Sequence, residues 1–301
     1  MKKAKLGLIG SMVIFGTIGL FVRWIPLPSS LIAGVRGLVG MLFLLVFLAI
    51  RGQKLSWGNI RKNLLVLLFS GAALGSNWVL LFEAYEYTTV ATATLCYYMA
   101  PVLVILISPL LLKEKLTSRK LTCAAIALVG SICISGVLQN LTGDSAGGQM
   151  SNGAADYAGI LFGLGAACLY ATVMLLNKRL QGVSAFDRTV IQLGASAAVM
   201  VPYVLLTENI GSLTATPSVL GLLILVGILH TGIAYAMYFS AMEQLPAQTI
   251  AIFSYLDPVV AILLSALVLR ESMGLITGVG AILILGSALI SELPEHGKKR
   301  N

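Results

Sequence analysis

One long apolar sequence occurs twice in this chain, and this repeat limits the possible fold more than any other feature. Residues 82–114 read FEAYEYTTVATATLCYYMAPVLVILISPLLLKE, and residues 239–271 read FSAMEQLPAQTIAIFSYLDPVVAILLSALVLRE, at a constant offset of 157 without a gap. Thirteen of the 33 aligned positions are identical. The identities that apolar composition does not explain are Tyr98/Tyr255, Pro101/Pro258 and Glu114/Glu271. We interpret the chain as an internal duplication.

The composition indicates a membrane protein. Hydrophobic residues make up 58% of the 301 residues and charged residues only 11%, whereas soluble domains contain about 25% charged residues. The mean hydropathy is +0.94, and apolar stretches of about 20 residues, which can cross a hydrocarbon core of about 30 Å, recur throughout. The alternating strands of an outer-membrane barrel are absent from the sequence. We therefore expect an all-α polytopic membrane protein.

Ten transmembrane helices are predicted from the apolar stretches, five in each copy of the repeat. The expected spans are 5–23, 30–50, 64–83, 91–112, 119–138, 158–177, 188–206, 218–240, 247–269 and 274–291. The sequence QNLTGDSAGGQMSNGAADY at 139–157 is polar, rich in Gly and Ser, and typical of a linker. We expect a first repeat at 1–139, an extracytoplasmic linker at 140–157, a second repeat at 158–292 and a basic cytoplasmic tail at 293–301.

The distribution of basic residues predicts the orientation. With the N-terminus in the cytoplasm, 17 of the 20 Lys and Arg residues fall in cytoplasmic segments, as the positive-inside rule requires. The remaining three are Arg23, Arg36 and Arg270. Because five spans per half is an odd number, the second half is expected to cross the membrane in the opposite sense. Two inverted five-helix repeats with both termini in the cytoplasm are a recurrent transporter design, with the substrate site near the midplane. A multi-pass protein of the cell membrane follows.

Several functional classes are disfavoured by the sequence. The net charge of +8 comes from short basic clusters between apolar spans, so it indicates a lipid bilayer as partner and no nucleic acid. The four Cys lie inside apolar spans without CxxC spacing, and we expect neither disulfides nor a metal site. No motif of a hydrolase, a nucleotide-binding loop or a dinucleotide-binding turn is present, so we expect no enzyme and no cofactor. A monomer or a homodimer is compatible with the sequence.

Charged residues inside a bilayer are costly and therefore mark candidate functional positions. Asp257 lies ten residues into span 9 and His230 twelve residues into span 8 from the opposite side, which puts both near the midplane at about 15–18 Å depth. They could pair there and carry coupling, whereas a structural carboxylate beside the Pro258 break is the alternative for Asp257. Arg36, about 9 Å deep in span 2, could bind a substrate carboxylate or fix helix ends.

Aromatic and amide side chains are further candidates for the substrate site. Trp78 and Tyr235 occupy equivalent repeat positions, and Asn77 and Tyr98 are expected at a similar outer-third depth. These residues could line a cavity, although plain helix packing is the alternative for any single ring. Spans 4 and 9 are the expected cavity walls. The paired Glu114 and Glu271 end their helices at opposite surfaces, where we expect each to organise the loop that follows it rather than to contact substrate.

The repeated segments PVLVILISPLLLKEKLT and PVVAILLSALVLRES resemble the drug/metabolite transporter superfamily, specifically its EamA-domain branch. The position before the second Pro, Asp257, and the Arg in span 2, Arg36 in AGVRGLVG, are similar to that pattern. In the first repeat the position before Pro101 is Ala100, so chemistry at this place is expected to be asymmetric. The resemblance covers nearly the whole chain except the linker, and it implies ten helices but does not specify a substrate.

These observations predict a secondary transporter of a small metabolite that works by alternating access. An exporter of amino acids or related metabolites is the first expectation, with proton coupling through Asp257. A multidrug or cation exporter, or an uncoupled facilitator of the same superfamily, is the alternative. A membrane enzyme or scaffold without transport activity is the rival from another class. Phosphorylated substrates are disfavoured because Arg36 and His230 are the only basic side chains deep in the membrane.

Overall fold

A computed structural model describes residues 2–88, 90–134, 153–209, 211, 216–268 and 275–291, and the regular secondary structure in these ranges is helical. The helices are α1 Lys2–Arg23, α2 Ser29–Ile50, α3 Trp57–Lys62, α4 Leu64–Tyr87, α5 Val90–Tyr97, α6 Ala100–Leu112, α7 Ser118–Ile134, α8 Gly153–Arg179, α9 Ala185–Thr207, α10 Pro217–Val226, a π-helical segment Gly227–Ile233, α11 Ala234–Gln244, α12 Ala247–Phe253, α13 Leu256–Val268 and α14 Leu275–Ser291.

Within the described residues, eight helical segments are long and apolar enough to cross a membrane. They coincide with the predicted spans one to four and six to nine. The two other predicted spans correspond to α7 and α14, which are helices of 17 residues each; residues 135–138 lie outside the described ranges. Helix α8 begins at Gly153, earlier than the start at 158 expected from the sequence, and residues 140–152 of the expected linker are outside the described residues.

Two of the long segments are broken at equivalent places in the repeat. Helix α5 ends at Tyr97 and α6 begins at Ala100, while α12 ends at Phe253 and α13 begins at Leu256. Each break lies just before a proline of the repeat, Pro101 or Pro258. Proline lacks a backbone N–H and its ring clashes with the carbonyl four residues earlier, so the regular hydrogen bonds of the preceding turn are lost at this position. The breaks leave non-helical backbone at mid-membrane depth, where it must be enclosed by protein.

A third interruption lies between α10 and α11, where the seven residues Gly227–Ile233 form a π-helical segment. Such segments are rare and frequently occur at functional sites. This one carries the buried His230 and the close contacts of Gly227 and Gly232 with α2. A Cβ on Gly227 would lie 2.5 Å from the Cβ of Val39, so glycine is required for this approach.

Equivalent helices of the two halves make equivalent contacts, each with helices of the other half. Helix α1 packs against α11 and α13, and α8 packs against α4 and α6. Helix α2 packs against the π-helical segment, and its counterpart α9 packs against α4. Three further contacts also join a helix of the first half to a helix of the second: α2–α9, α7–α14 and α6–α12. The largest fully buried aromatic side chains, Tyr238, Phe239 and Tyr255, lie on α11 and in the break between α12 and α13.

Close helix contact is achieved through small residues where α4 crosses α9. A Cβ on Gly71 would lie 2.6 Å from the carbonyl oxygen of Gln192 and 2.7 Å from the Cβ of Ala195. Gly75 one turn later meets the carbonyl oxygen of Ser196 at 2.7 Å in the same way. This is the small-xxx-small packing that lets membrane helices approach closely.

Candidate functional site

A cavity of about 360 Å³ lies where the two halves meet. Its walls come from α1, α2, α4 and α5 on one side and from α8, the π-helical segment, α11 and α13 on the other. Polar and aromatic side chains dominate the lining: Phe15, Arg36, Trp78, Tyr85, Tyr97, Tyr98, Tyr170, His230, Tyr235 and Asp257. Six of the seven residues predicted from the sequence for substrate binding and coupling are in this set.

The helix breaks place the carboxylate. Asp257 is the second residue of α13, directly after the break, and Tyr98 lies in the equivalent break between α5 and α6. A small extension of the cavity, about 40 Å³, is lined by Asp257 and Ser254 together with Tyr97, Tyr98 and Tyr170. The carboxylate therefore lies among phenol rings and hydroxyl groups, an environment that can bind an organic cation.

The two breaks also touch each other. The Tyr255 hydroxyl donates a hydrogen bond of 2.8 Å to the backbone carbonyl of Tyr98, and the two rings meet edge to face with centroids 6.3 Å apart. These tyrosines occupy equivalent positions in the repeat. The contact joins the interrupted backbones of the two halves directly beside Asp257.

Arg36 lies in another part of the cavity wall. Its guanidinium carbon is 4.8 Å from the centroid of the Trp78 ring, a cation–π contact. Trp78 in turn meets Tyr235 edge to face at 6.2 Å. The Arg36 Nε is buried without a hydrogen-bond partner. The aromatic stack orients the guanidinium and leaves it hydrogen-bonding capacity for a carboxylate, which it can bind bidentately.

His230 is held by a residue that the sequence did not single out. Its Nε2 is 2.7 Å from the Thr17 hydroxyl oxygen, and that hydroxyl lies 2.7 Å from the carbonyl of Ile14, to which it donates. Because the hydroxyl proton is used there, the imidazole Nε2 is the donor to Thr17, and the neutral ring has an acceptor at Nδ1. Nδ1 is buried without a partner. The pairing of His230 with Asp257 that depth suggested is therefore not formed.

Asn77 lies outside the cavity, in contrast to the expectation from its depth. The side chain is completely buried, and its Nδ2 donates to the carbonyl of Ala166 at 2.6 Å, which joins α4 to α8. Its neighbour Trp78 points into the cavity instead, because adjacent residues on a helix face directions about 100° apart. In this structure Asn77 stabilises the helix interface that supports the cavity wall.

The structure adds lining residues that sequence reasoning missed. Tyr85 lies in the cavity with Trp78 and Phe82, and the spacing i, i+4, i+7 along α4 could have indicated this shared face. Phe15 on α1 also lines the cavity. Neither Phe15 nor Thr17, the partner of His230, had such a signal in the largely apolar α1. Among the described residues no group of three or more His, Cys, Asp or Glu could hold a metal ion.

An acidic hollow of about 550 Å³ adjoins the cavity. Ser29, Phe82 and Tyr85 line both spaces. The carboxylates of this hollow are bound by hydroxyl groups: Tyr203 donates to Glu83 at 2.6 Å, and Ser30 donates to Glu208. Glu86 is exposed at its rim. We call this hollow the mouth of the cavity.

Comparison with known proteins gives the family. The model of the EamA-like transporter family matches residues 2–136 and again residues 157–292. The chain is 30% identical to the Bacillus subtilis protein named uncharacterized transporter YxxF, over 98% of this chain and 91% of that protein. It is 26% identical to an uncharacterized transporter of Archaeoglobus fulgidus over 97% of both, and 25% identical to protein PecM of Dickeya dadantii over 72% of this chain and 69% of that protein.

A crystal structure of a protein with 20% sequence identity superposes on this chain with a TM-score of 0.82 and covers 96% of this chain and 97% of the other. At this identity the superposition shows a common fold. Together with the match of the family model to both halves, it accounts for the polytopic helical architecture. The chain is a multi-pass membrane protein that belongs to the EamA-like transporter family of the drug/metabolite transporter superfamily.

Proposed function

We propose that this protein is a secondary transporter whose substrate binds in the cavity between the two halves. The observation that carries the proposal is the cavity itself, because it combines one carboxylate, one guanidinium and a set of aromatic rings within a protein of membrane-spanning helices. Its volume of about 360 Å³ falls in the range of small-molecule sites, about 300 to 1,000 Å³.

The proposed architecture is a ten-span bundle of two inverted five-helix repeats, residues 1–139 and 158–292, with both termini in the cytoplasm of a plasma-membrane protein. The exchange pattern of helix contacts and the equivalent breaks before Pro101 and Pro258 support it. The 17 basic residues on one side support the orientation. Labelling of single cysteines in intact cells tests it: position 145 should react from outside and Lys115→Cys only after permeabilisation. Reaction of both from the same side would contradict the topology.

The proposed substrate is a small metabolite with an amino group and a carboxylate, such as an amino acid, moved out of the cell. Arg36 would bind the carboxylate, and Asp257 would bind the ammonium group among the phenol rings of Tyr97, Tyr98 and Tyr170. Binding of opposite charges at two places in one cavity gives selectivity for a zwitterion over either single ion.

A multidrug or cation exporter is the second candidate, and one observation favours it. The guanidinium of Arg36 already lies against Trp78, whereas Asp257 is surrounded by aromatic residues that attract cations. An organic cation would use the Asp257 side of the cavity alone. Arg36→Gln separates the candidates, since it should abolish recognition of a zwitterion and preserve that of a cation.

For coupling, we propose that Asp257 alternates between binding a proton and binding the cationic group of the substrate. This exchange is the minimum that proton-for-substrate antiport requires. His230, with its free Nδ1 acceptor in the same cavity, is a second group that could take up a proton. An uncoupled facilitator would need the cavity but no titrating residue.

Transport by the purified protein in liposomes tests the proposal. Counterflow is measured with labelled amino acids, organic cations and nucleotide sugars, and uphill uptake is then driven by a pH gradient. Asp257→Asn should abolish uphill transport while downhill exchange persists. Asp187→Asn is the matched control, because Asp187 is a buried carboxyl outside the cavity. Unchanged uphill transport in Asp257→Asn would exclude the coupling role, and absence of flux for every class would favour a membrane enzyme or scaffold.

A further inference from the structure

The end of α11, the loop 245–246 and the start of α12 are held by charged side chains from other parts of the chain, and we call residues 242–248 the α11–α12 corner. Lys178 of α8 donates to the carbonyls of Met242 and Leu245, both at 2.7 Å. The last carbonyls of a helix have no partner within the helix, and a cation is favourable at this negative end of the helix dipole. Lys178, a residue of α8, thus caps the C-terminal end of α11.

The other side of the corner is capped from the first half of the chain. The Glu114 carboxylate, just after α6, accepts hydrogen bonds from the backbone N–H groups of Ala247 at 2.7 Å and Gln248 at 3.3 Å. These are unpaired donors at the start of α12. The Gln248 side chain also donates to the Ser108 hydroxyl at 2.9 Å. Glu114 therefore does not organise the loop that follows it, as the sequence suggested, but joins α6 to α12.

A third contact reaches the corner from α9. Arg188 is buried and lies 3.5 Å from the Glu243 carboxylate, and its remaining contact is a long hydrogen bond of 3.4 Å to the carbonyl of Val183. Its Nε and Nη1 atoms are buried without hydrogen-bond partners. A guanidinium has five N–H donors, so several donors of Arg188 have no acceptor here. The ion pair with Glu243 is also longer than the bidentate contact that an arginine can form with a carboxylate.

These contacts lie at the end of the protein away from the mouth. Helix α9 carries Arg188 near its start and is followed by Glu208 at the mouth; twenty residues of helix correspond to about 30 Å. The hollow of about 500 Å³ beside the corner shares no lining residue with the central cavity. The cavity therefore continues into a hollow at the Glu208 end and is separated from the hollow at the α11–α12 corner.

We propose that Glu114, Lys178, Arg188 and Glu243 form a latch that holds the α11–α12 corner closed, and that its release opens the cavity to this end. The inference rests on the proposed alternating-access function. Each contact joins the corner to α6, α8 or α9, so opening must break all of them together. On separation, water can replace each protein partner, and hydrogen bonds exchanged with water have a small net free energy.

The latch is asymmetric between the halves. The positions equivalent to Lys178 and Arg188 at the repeat offset of 157 are Phe21 and Leu31, which are apolar. The corner between α4 and α5 at the mouth therefore cannot form the same pair of cationic contacts. A charged latch at one end only would bias the equilibrium between the state open at the mouth and the state open at the α11–α12 corner. The state with the corner closed would be favoured as long as the latch is intact.

The test uses thiol-labelling rates of the purified, detergent-solubilised protein after its four cysteines have been replaced by serine. Ala251→Cys reports on the closed end, because Ala251 is completely buried on α12 one turn beyond Gln248. Gly19→Cys reports on the mouth side, because Gly19 lines the cavity and a Cβ there would meet nothing within 4 Å. Neither reporter belongs to the latch.

The latch is broken by Lys178→Met, which keeps the apolar stem, or by Glu114→Gln, which removes the charge. Controls are Lys115→Met, an exposed lysine near α6, and Glu86→Gln, the exposed equivalent of Glu243 in the first half. Either latch variant should raise the labelling rate at Ala251→Cys at least tenfold, and the controls should leave it unchanged. A tenfold change corresponds to about 1.4 kcal/mol between the two states.

The outcomes separate the latch from the transport mechanism. A higher rate at Ala251→Cys with a lower rate at Gly19→Cys supports both the latch and alternating access. A higher rate at Ala251→Cys alone, with the circular dichroism spectrum intact, supports the latch and contradicts alternating access. An unchanged rate at Ala251→Cys in a folded latch variant overturns the latch. Loss of the folded state in both variants would also overturn it, since the contacts would then serve stability alone.

Discussion

Replacement of Gly71 by alanine should separate α4 from α9 and destabilise the protein. The added Cβ would lie 2.7 Å from the Cβ of Ala195 and 2.6 Å from the Gln192 carbonyl oxygen, against an ordinary contact of at least 3.4 Å. Neither atom can rotate away, because one belongs to the backbone and the other is fixed to it. The helices would have to move apart by about 0.7 Å, and gaps of this size forfeit a quarter to a half of the dispersion energy of each contact.

The expected cost of this overpacking is about 1–3 kcal/mol. The helix propensity of alanine offsets up to about 1 kcal/mol of it. Gly221→Ala on α10 is the matched control, because a Cβ at Gly221 meets nothing within 4 Å and the propensity term is the same. The difference between the two variants in the free energy of unfolding therefore isolates the overpacking, and SDS titration in mixed micelles with circular dichroism measures it. Equal stability of the two variants would refute the close approach of α4 and α9.

Three further variants test contacts of the site. Tyr255→Phe removes the hydrogen bond to the Tyr98 carbonyl and should lower the free energy of unfolding in the same SDS titration by about 0.6–1.7 kcal/mol, as membrane hydrogen bonds do; no loss would mean that the halves do not depend on this bond. Thr17→Val leaves the buried Nε2 donor of His230 without its acceptor, which should lower the free energy of unfolding in the same SDS titration by about 1–3 kcal/mol, and unchanged stability would contradict the assigned contact. Arg36→Lys keeps the charge but loses the planar fork, and it should weaken counterflow of zwitterionic substrates at least tenfold; equal flux would exclude bidentate binding.

The linear sequence was sufficient to predict the class of protein and, at Pro258, one interruption of a helix. Hydropathy defines which segments can cross the membrane, because burial of an apolar stretch of this length in lipid does not depend on its neighbours. Proline removes one hydrogen bond of the preceding helical turn, and both breaks lie immediately before a repeat proline, Pro101 or Pro258. Of these two breaks, the sequence had indicated only the one at Pro258. The π-helical segment around His230 had no comparable signal, since it arises where Gly227 and Gly232 pack against α2.

For the candidate site, the sequence predicted the depth of residues in the membrane but not the direction in which their side chains point. Depth, counted at a fixed rise per residue, put Arg36, Tyr98, His230 and Asp257 at levels where one cavity can collect them, and the structure places them in one cavity. Trp78 and Tyr235 were candidates because they occupy equivalent repeat positions. Depth could not distinguish Asn77 from Trp78. The two are neighbours in sequence, yet one donates to Ala166 between helices and the other supports Arg36.

What only the tertiary structure decided is which side chains meet across helices. Thr17 as the partner of His230, and Glu114 as the cap of α12, are separated from their partners by 213 and 133 residues. Such pairs depend on the rotation and lateral position of each helix, which are determined by packing of small residues such as Gly71 and Gly227 rather than by hydropathy. The sequence determined which segments are apolar enough to cross the membrane, and Pro258 indicated one of the breaks. The cavity, the contacts of its residues and its closed end follow from how the helices pack.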